Sequence, residues 1–489
     1  MRIIGNDPST PRQAQIVASG TLSTGDAVVV NSDGTVSVVE ETNVTQAVGT
    51  PVEYESGSIG YTAATFDSAS GKVVIAYTDA SNSFYGTAIV GTVSGTSISF
   101  GTAVVFESGQ SNYIAATFDT ANSKVVIAYQ NASNSNYGTA VVGTVSGTSI
   151  SFGSSVVFQT NACTFISTAF DSTAGKVVVA YNSNDGGLHR GKSKVGTVSG
   201  TSISFGSLAE FEGGQVASTS CAFDSANDKV VVAYYDTTNS NYGTAAVGTV
   251  SGTSISFGTP VVFEAASLVP PIGYSVSIVF DSTANKVVIA FRDNGNSGYG
   301  TAIVGTVSGT SISFGTAVVF ENANIYDPVA VFDSTAGKVV IAYRDTGNSS
   351  YGTIIVGTVS GTSISFGTAV TFNTINTADI CATFDSSNNR VVFPYRNTVS
   401  GGGDSVVFRN AYTDINLTAE NYIGTAATGA ADTQRAKINL KGAVDENQSG
   451  LTAGQSYYVQ TDGTLGTTPD DPSVFAGTAV AANKLIVKG

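Results

Sequence analysis

The chain has 489 residues, 42% hydrophobic and only 12% charged, with 55 Gly and a net charge of −15. This is not the composition of a disordered chain, and its acidity argues against binding nucleic acid or an anionic membrane surface, which requires clustered Lys and Arg. Abundant Gly, Ser and Thr beside Val, Ile, Phe and Tyr suit many short strands joined by tight turns.

Residues 1–8 lack the apolar stretch of a secretory signal, and no apolar run approaches the ~18 residues of a membrane helix. The expectation is a protein made and folded in a cytoplasm. Residues 1–48 precede a repeat. In them Asn31-Ser32-Asp33-Gly34-Thr35 follows the apolar run 27–30, and Asp-Gly beside such a run signals a hairpin.

From residue 49 the chain repeats itself. Gly-Thr-Val-Ser-Gly-Thr-Ser-Ile-Ser-Phe-Gly begins at Gly91, Gly143, Gly196, Gly248, Gly305 and Gly357, and a Phe-Asp pair recurs at Phe66, Phe118, Phe170, Phe223, Phe280, Phe332 and Phe384. There are seven units, spaced 52 to 57 residues apart. The first predicts four strands, over 61–66, 72–77, 85–93 and 97–106, separated by turn-forming residues. Four antiparallel strands per ~50 residues, seven times over, predict an all-β fold, a seven-bladed β-propeller. The seventh unit lacks the Ser-Ile-Ser-Phe-Gly strand. Gly49-Thr50-Pro51-Val52-Glu53-Tyr54-Glu55 matches the fourth strand of another unit, 258–264, so the N-terminal strand is expected to close the last blade.

Residues 417–489 leave the repeat. Residues 451–464 align without gaps on 22–35, which predicts one small β module built from both termini. An independent C-terminal module with a separate N-terminal arm is the alternative. The domains read from the sequence are therefore 1–48, 49–416 and 417–489.

Candidate functional residues come from comparing the units with one another. One set of turns is nearly constant. The turns between second and third strands, and the links between units, vary. Loops on a rigid scaffold commonly carry binding residues. The variable face therefore supplies the candidate contact residues Tyr85, Tyr137, Tyr242, Tyr299 and Tyr351, with His189, Arg190, Arg292 and Arg344. Rings, amides and guanidinium groups suit a sugar surface; the alternative is that each Tyr packs against the next blade. Asp67 and its six equivalents are expected to cap turns and form a weak ion pair with Lys72 and its equivalents. Cys163, Cys221 and Cys381 lack metal-ligand spacing and are expected as small buried residues. No catalytic set, metal site or cofactor motif is evident, and a non-enzymatic role is expected.

Two tracts resemble known material. The unit Lys72 to Tyr77, followed by Tyr85 to Gly101, resembles repeats in structural proteins of marine bacteriophages, including cyanophages. Residues 416–489, from Asn416-Leu417-Thr418 through Leu451 to the end, resemble a C-terminal module shared by such virion proteins. The resemblance implies a virion component assembled in the host cytoplasm, a fibre, knob or appendage of head or tail. It implies docking to other virion proteins through the terminal module, a homo-oligomer, and attachment to host-surface glycan. A free lectin-like protein and a polysaccharide-degrading propeller are the alternatives.

Overall fold

The computed structural model describes residues 12–268 and 276–488. The chain divides into two compact units, one of residues 46–410 and one of residues 1–45 with 411–489. Both boundaries differ from those read in the sequence. Ala47–Val48 pairs with Phe408 and Arg409, which ties it to the repeats. Tyr412–Ile415 pairs with Glu41–Val44, which ties it to the termini.

The repeat unit is built from antiparallel sheets, one per repeat. In the first, Ile59–Asp67, Lys72–Asp79 and Tyr85–Ser94 form a meander. The fourth run, expected over 97–106, is broken in two. Ser97–Phe100 pairs with the far end of the third strand, and a new strand beginning at Val104 pairs with its near end. That new strand, Val104–Asp119, runs 16 residues and becomes the inner strand of the second sheet. Val156–Asp171, Ala209–Asp224 and Val318–Asp333 do the same. In these four crossings the links expected as loops are thus strand, while part of the link after Glu264 lies outside the described residues. Register shifts on both sides of the crossing bend the chain as it changes sheets.

The break falls at Gly101 for a steric reason. A Cβ there would lie 1.8 Å from the carbonyl oxygen of Thr148, in the Ser-Gly-Thr turn of the second sheet. Gly153, Gly206, Gly258 and Gly315 stand in the same way against Thr201, Thr253, Thr310 and Thr362. Gly49 does so against Thr96 of the first sheet, again at 1.8 Å. The strand after Gly49, Val52–Glu55, pairs with Gly403–Arg409 of the seventh sheet.

The cores lie between sheets. The second strand of the first sheet, from Val73 to Tyr77, is fully buried, because neighbours cover both of its faces. One cluster joins Val74, Ala76 and Val90 of the first sheet to Val125, Ile127 and Tyr129 of the second. Equivalent clusters continue from sheet to sheet. A further one joins Val392 and Val407 of the seventh sheet to Val73 and Ile75 of the first. An aromatic wedge marks each junction. Phe106 sits 5.2 Å from Tyr129 and 5.7 Å from Phe152, and Tyr54 sits likewise against Tyr77 and Phe100. Each such pair adds about 0.5–1.5 kcal/mol beyond the area buried.

The Phe-Asp turns are capped as expected. Asp67 accepts from the backbone N–H groups of Ala69 and Ser70 at 2.9 and 3.0 Å. The expected ion pair with Lys72 does not form. It is absent from the ion pairs among the described residues, because backbone donors take up the buried carboxylate.

The terminal unit contains one design twice. Gln13–Val17, Ala27–Val30, Val36–Val38, Tyr422–Ala426 and Arg435–Asn439 form a five-stranded sheet in which, by chain order, the strands lie 1-5-4-2-3. Val444–Asp445, Ser456–Val459, Leu465–Gly466, Val474–Ala481 and Lys484–Val487 form a second five-stranded sheet, also in the order 1-5-4-2-3. Details repeat as well. Thr35 N–H donates to Asp33 Oδ1 at 2.9 Å, as Thr464 N–H does to Asp462 Oδ1. Gly424 and Gly477 each back onto a carbonyl oxygen of the fifth strand. The first copy combines both ends of the chain, and the second is C-terminal alone. The repeat unit is therefore inserted between the third and fourth strands of the first copy.

Candidate functional site

The inner strands of all seven repeats frame one pocket of about 220 Å³. Its wall takes residues 61–64, 114–116, 166–168, 219–220, 276–277, 327–329 and 379–382. Small side chains such as Ala63, Ala115 and Ala382 keep it open. Thr62, Ser167, Thr168, Thr219, Ser220 and Ser277 give it hydroxyls, and Asp327 and Asp379 are its carboxylates.

In the first, second, third, fourth and sixth repeats the inner strand carries a bulge around one position, five residues before the Phe of Phe-Asp, and in the seventh the strand is interrupted there. The residue there adopts φ of 47–50° in every described repeat, namely Tyr61, Tyr113, Phe165, Ser218, Asp327 and Asp379. Glycine would take this left-handed conformation without strain, yet none of the six is glycine. A strained conformation kept through a repeat marks a candidate functional position. At this position Tyr61, Asp327 and Asp379 line the pocket, while Tyr113, Phe165 and Ser218 each directly precede a lining residue. It also varies from repeat to repeat, as do the four residues after it. Tyr61, Tyr113 and Phe165 form a chain of rings, with centroids 5.0 and 5.3 Å apart. The sixth and seventh repeats bring acids instead.

A second position diverges in step with the first. In strand two it reads Thr78, Gln130, Asn182, Tyr235, Arg292, Arg344 and Arg396. The early members hold the next sheet, as Gln130 Nε2 donates to the Cys163 carbonyl at 2.5 Å and Thr78 to that of Ser111. The three arginines gather charge. Arg396 Nε donates to Asp379 Oδ2 at 2.7 Å. Arg292 and Arg344 lie over the ring of Tyr326, at 5.0 and 4.4 Å from its centroid. Aromatic rings thus serve the first three repeats, arginines the last three, and carboxylates the sixth and seventh.

Burial pushes the Asp327 carboxyl up to about 6, and the charge of Asp379 adds to this; Arg344, the Asp379 N–H and Arg396 pull the other way. Asp327 is only partly shielded from water, but the protein around the narrow pocket solvates its charge poorly. Between the ordinary 3.8 and about 6, the folded chain holds a proton that the unfolded chain releases. The stability this proton contributes is complete below the ordinary value and is lost as pH rises through about 6. Asp327→Asn is therefore expected to stabilise the protein by about 1–2 kcal/mol at pH 8, allowing for partial solvent contact, and to change little at pH 4. Denaturant titrations at the two pH values test this; equal effects at both would refute it.

The residues chosen from the sequence divide. Arg292 and Arg344 do meet, on Tyr326. Tyr85, Tyr137, Tyr242, Tyr299 and Tyr351 do not join them. Each opens a third strand, half-buried, in register with the crossing strand, as in Tyr85 opposite Gln110. None lines the pocket. Arg190 takes the same place in the third repeat and pairs with Glu210 at 3.4 Å. His189 lies in a strand rather than a loop, with Nδ1 3.0 Å from Asn182 Oδ1. Tyr61, Tyr113, Phe165, Asp327 and Asp379 were not singled out in the sequence. The signal for them was their place on the inner strand, at the start of five adjacent columns that vary among the repeats.

No family model and no curated protein matches the chain. Among solved structures, the chain is similar to the BP39L lectin from Burkholderia pseudomallei, with 12% identity over 74% of this chain and 99% of that one and a TM-score of 0.54. It is also similar to Sqt1 from Saccharomyces cerevisiae, with 10% identity over 76% and 100% and a TM-score of 0.44. The likeness to the lectin shows the fold alone, which is β-propeller-like.

Proposed function

We propose that the chain is a non-enzymatic glycan-recognition protein of a phage particle, built on a seven-bladed propeller that Val52–Glu55 closes, with a sugar residue held at the pocket mouth. The observation that carries the binding reading is the chemistry gathered at the strained positions, with the rings of Tyr61, Tyr113 and Phe165 in one sector and Asp327 and Asp379, the latter paired with Arg396, in another. Rings stack on the apolar face of a sugar, carboxylates accept from its hydroxyls, and guanidinium groups donate to its oxygens. The propeller-like fold, shared with a lectin, accommodates this reading. The virion setting rests on the resemblance of the repeat and of residues 451–489. Incubation of the full chain on a glycan array is expected to give a restricted set of hits, lost in Tyr61→Ala. Uniform non-binding would leave a structural role only.

One observation favours a second reading, glycoside hydrolysis. Asp327 and Asp379 share the pocket wall, one carboxyl raised to about 6 and the other held by Arg396. An acid and an ionised partner are what that reaction uses. Release of reducing ends from an array-positive glycan, abolished by Asp327→Asn, would replace the binding reading with this one.

A further inference from the structure

The varying position of the second strand is neutral in the first four repeats and cationic in the last three. Arg396 is matched by Asp379. Arg292 and Arg344 form no ion pair among the described residues. The carboxylates next to them in sequence are occupied by turns. Asp293 accepts from the Asn296 N–H at 3.1 Å, and Asp345 from the N–H groups of Gly347 and Asn348 at 2.8 and 3.2 Å. Two guanidinium groups are thus left over, in a chain whose net charge is −15.

These two cations stand together although they come from different sheets. Tyr326 lies opposite Arg344 in the sixth sheet, and Arg292 reaches the same ring from the fifth. Arg292 is only 8% exposed. Its Nε donates to Asn324 Oδ1 at 2.8 Å and its Nη1 to Asn294 Oδ1. Gly298 makes room for this arrangement. The residues in its place elsewhere are Phe84, Asn136, Asn241 and Ser350, but a Cβ on Gly298 would lie 2.2 Å from Asn324 Oδ1 and 2.8 Å from Arg292 Nη2. Arg344 and Tyr326 are half-buried, which leaves the pair open to solvent on that side. The Nε of Arg344 is buried without a hydrogen-bond partner. A buried charge without a counter-charge, and a buried donor without an acceptor, both cost stability. An oxyanion beside Tyr326 would relieve both.

We propose that the sugar bound at the pocket is anionic, and that Arg292 and Arg344 hold its carboxylate or sulfate group. This rests on the glycan reading above and names the class of glycan. Guanidinium groups present paired N–H donors that match the oxygens of such anions. Tyr326 directly precedes Asp327, a residue of the pocket wall, so an anion at the arginines leaves the sugar ring beside the pocket. Asp327 and Asp379 then remain for its hydroxyls.

The full chain on an array of neutral, uronate-bearing and sulfated glycans tests this. Hits are expected among the anionic glycans alone, and the group they share identifies the anion. In calorimetric titrations, removing the charge of a hit, by methyl esterification of its carboxylate or by desulfation, is expected to weaken binding about 10- to 100-fold. Arg292→Gln and Arg344→Gln are each expected to weaken it by a similar factor. Arg344→Gln, on the more exposed residue, carries the test even if Arg292→Gln fails to fold. Hits confined to neutral glycans would overturn this inference and leave the glycan reading standing. So would an anionic hit bound equally well without its charge, or by Arg344→Gln. An array without hits would remove both readings.

Discussion

Gly101→Ala is expected to destabilise the protein by about 2–3 kcal/mol, whereas Gly367→Ala, in the same eleven-residue motif, is expected to be nearly neutral. The sequence around the two glycines is the same, Ser-Ile-Ser-Phe-Gly-Thr-Ala-Val. Their surroundings are not. A methyl group on Gly101 would meet the Thr148 carbonyl oxygen at 1.8 Å, while the nearest atom to one on Gly367 is 3.8 Å away. The seventh sheet has no Ser-Gly-Thr turn to press against Gly367. Relieving the clash at Gly101 means separating two sheets packed through Phe106 and Tyr129, and overpacking of this kind commonly costs about 1–3 kcal/mol. Gly49→Ala should cost as much as Gly101→Ala, because Thr96 stands over it in the same way. Thermal melts of the three variants give the comparison. Equal losses at Gly101 and Gly367 would show that the motif's glycines act through the local strand alone; a harmless Gly49→Ala would show that the last sheet does not press on the first.

The second large effect concerns the pocket. Asp327→Asn combined with Asp379→Asn is expected to reduce affinity for an array-positive glycan by about 100-fold or more. Hydrogen bonds to a charged partner are worth about 1.5–3 kcal/mol each, and each 1.4 kcal/mol is a factor of ten. Tyr351→Ala, at a repeat tyrosine away from the pocket, should leave affinity unchanged. Calorimetric titration of the three proteins tests the assignment. Were Tyr351→Ala to abolish binding while the double variant bound normally, the contact surface would be the outer ring of tyrosines read from the sequence.

Much of the fold was legible because the repeat is its own alignment. Phe66 to Asp67 and its successors set the unit, and alternating Ile98, Phe100, Val104 and Phe106 indicated a strand. That alternation did not reveal the break at Gly101, since the obstacle is the Thr148 carbonyl of the following repeat. Nor did it reveal that 107–112 is strand. Glu107-Ser108-Gly109-Gln110-Ser111-Asn112 has the composition of a loop, and only partners on both sides, Tyr85 before the crossing and Asn131 after it, hold it extended. The duplication in the terminal unit was half visible. Residues 22–35 and 451–464 match, but the fourth and fifth strands of the first copy lie beyond residue 420, separated from their partners by the inserted repeats.

By itself, the sequence determined the repeat, its number, the strands of its meander and its Gly- and Asp-bearing turns, because periodicity, Gly and Asp act over a few residues. It also determined that one end of the chain supplies what the seventh repeat lacks. Only the tertiary structure decided where the pocket lies and which residues surround it. Tyr61 and Asp379 are more than 300 positions apart, and each is unremarkable within its own repeat. They line one pocket because seven inner strands converge there, and convergence belongs to the packing of sheets, which local sequence does not encode.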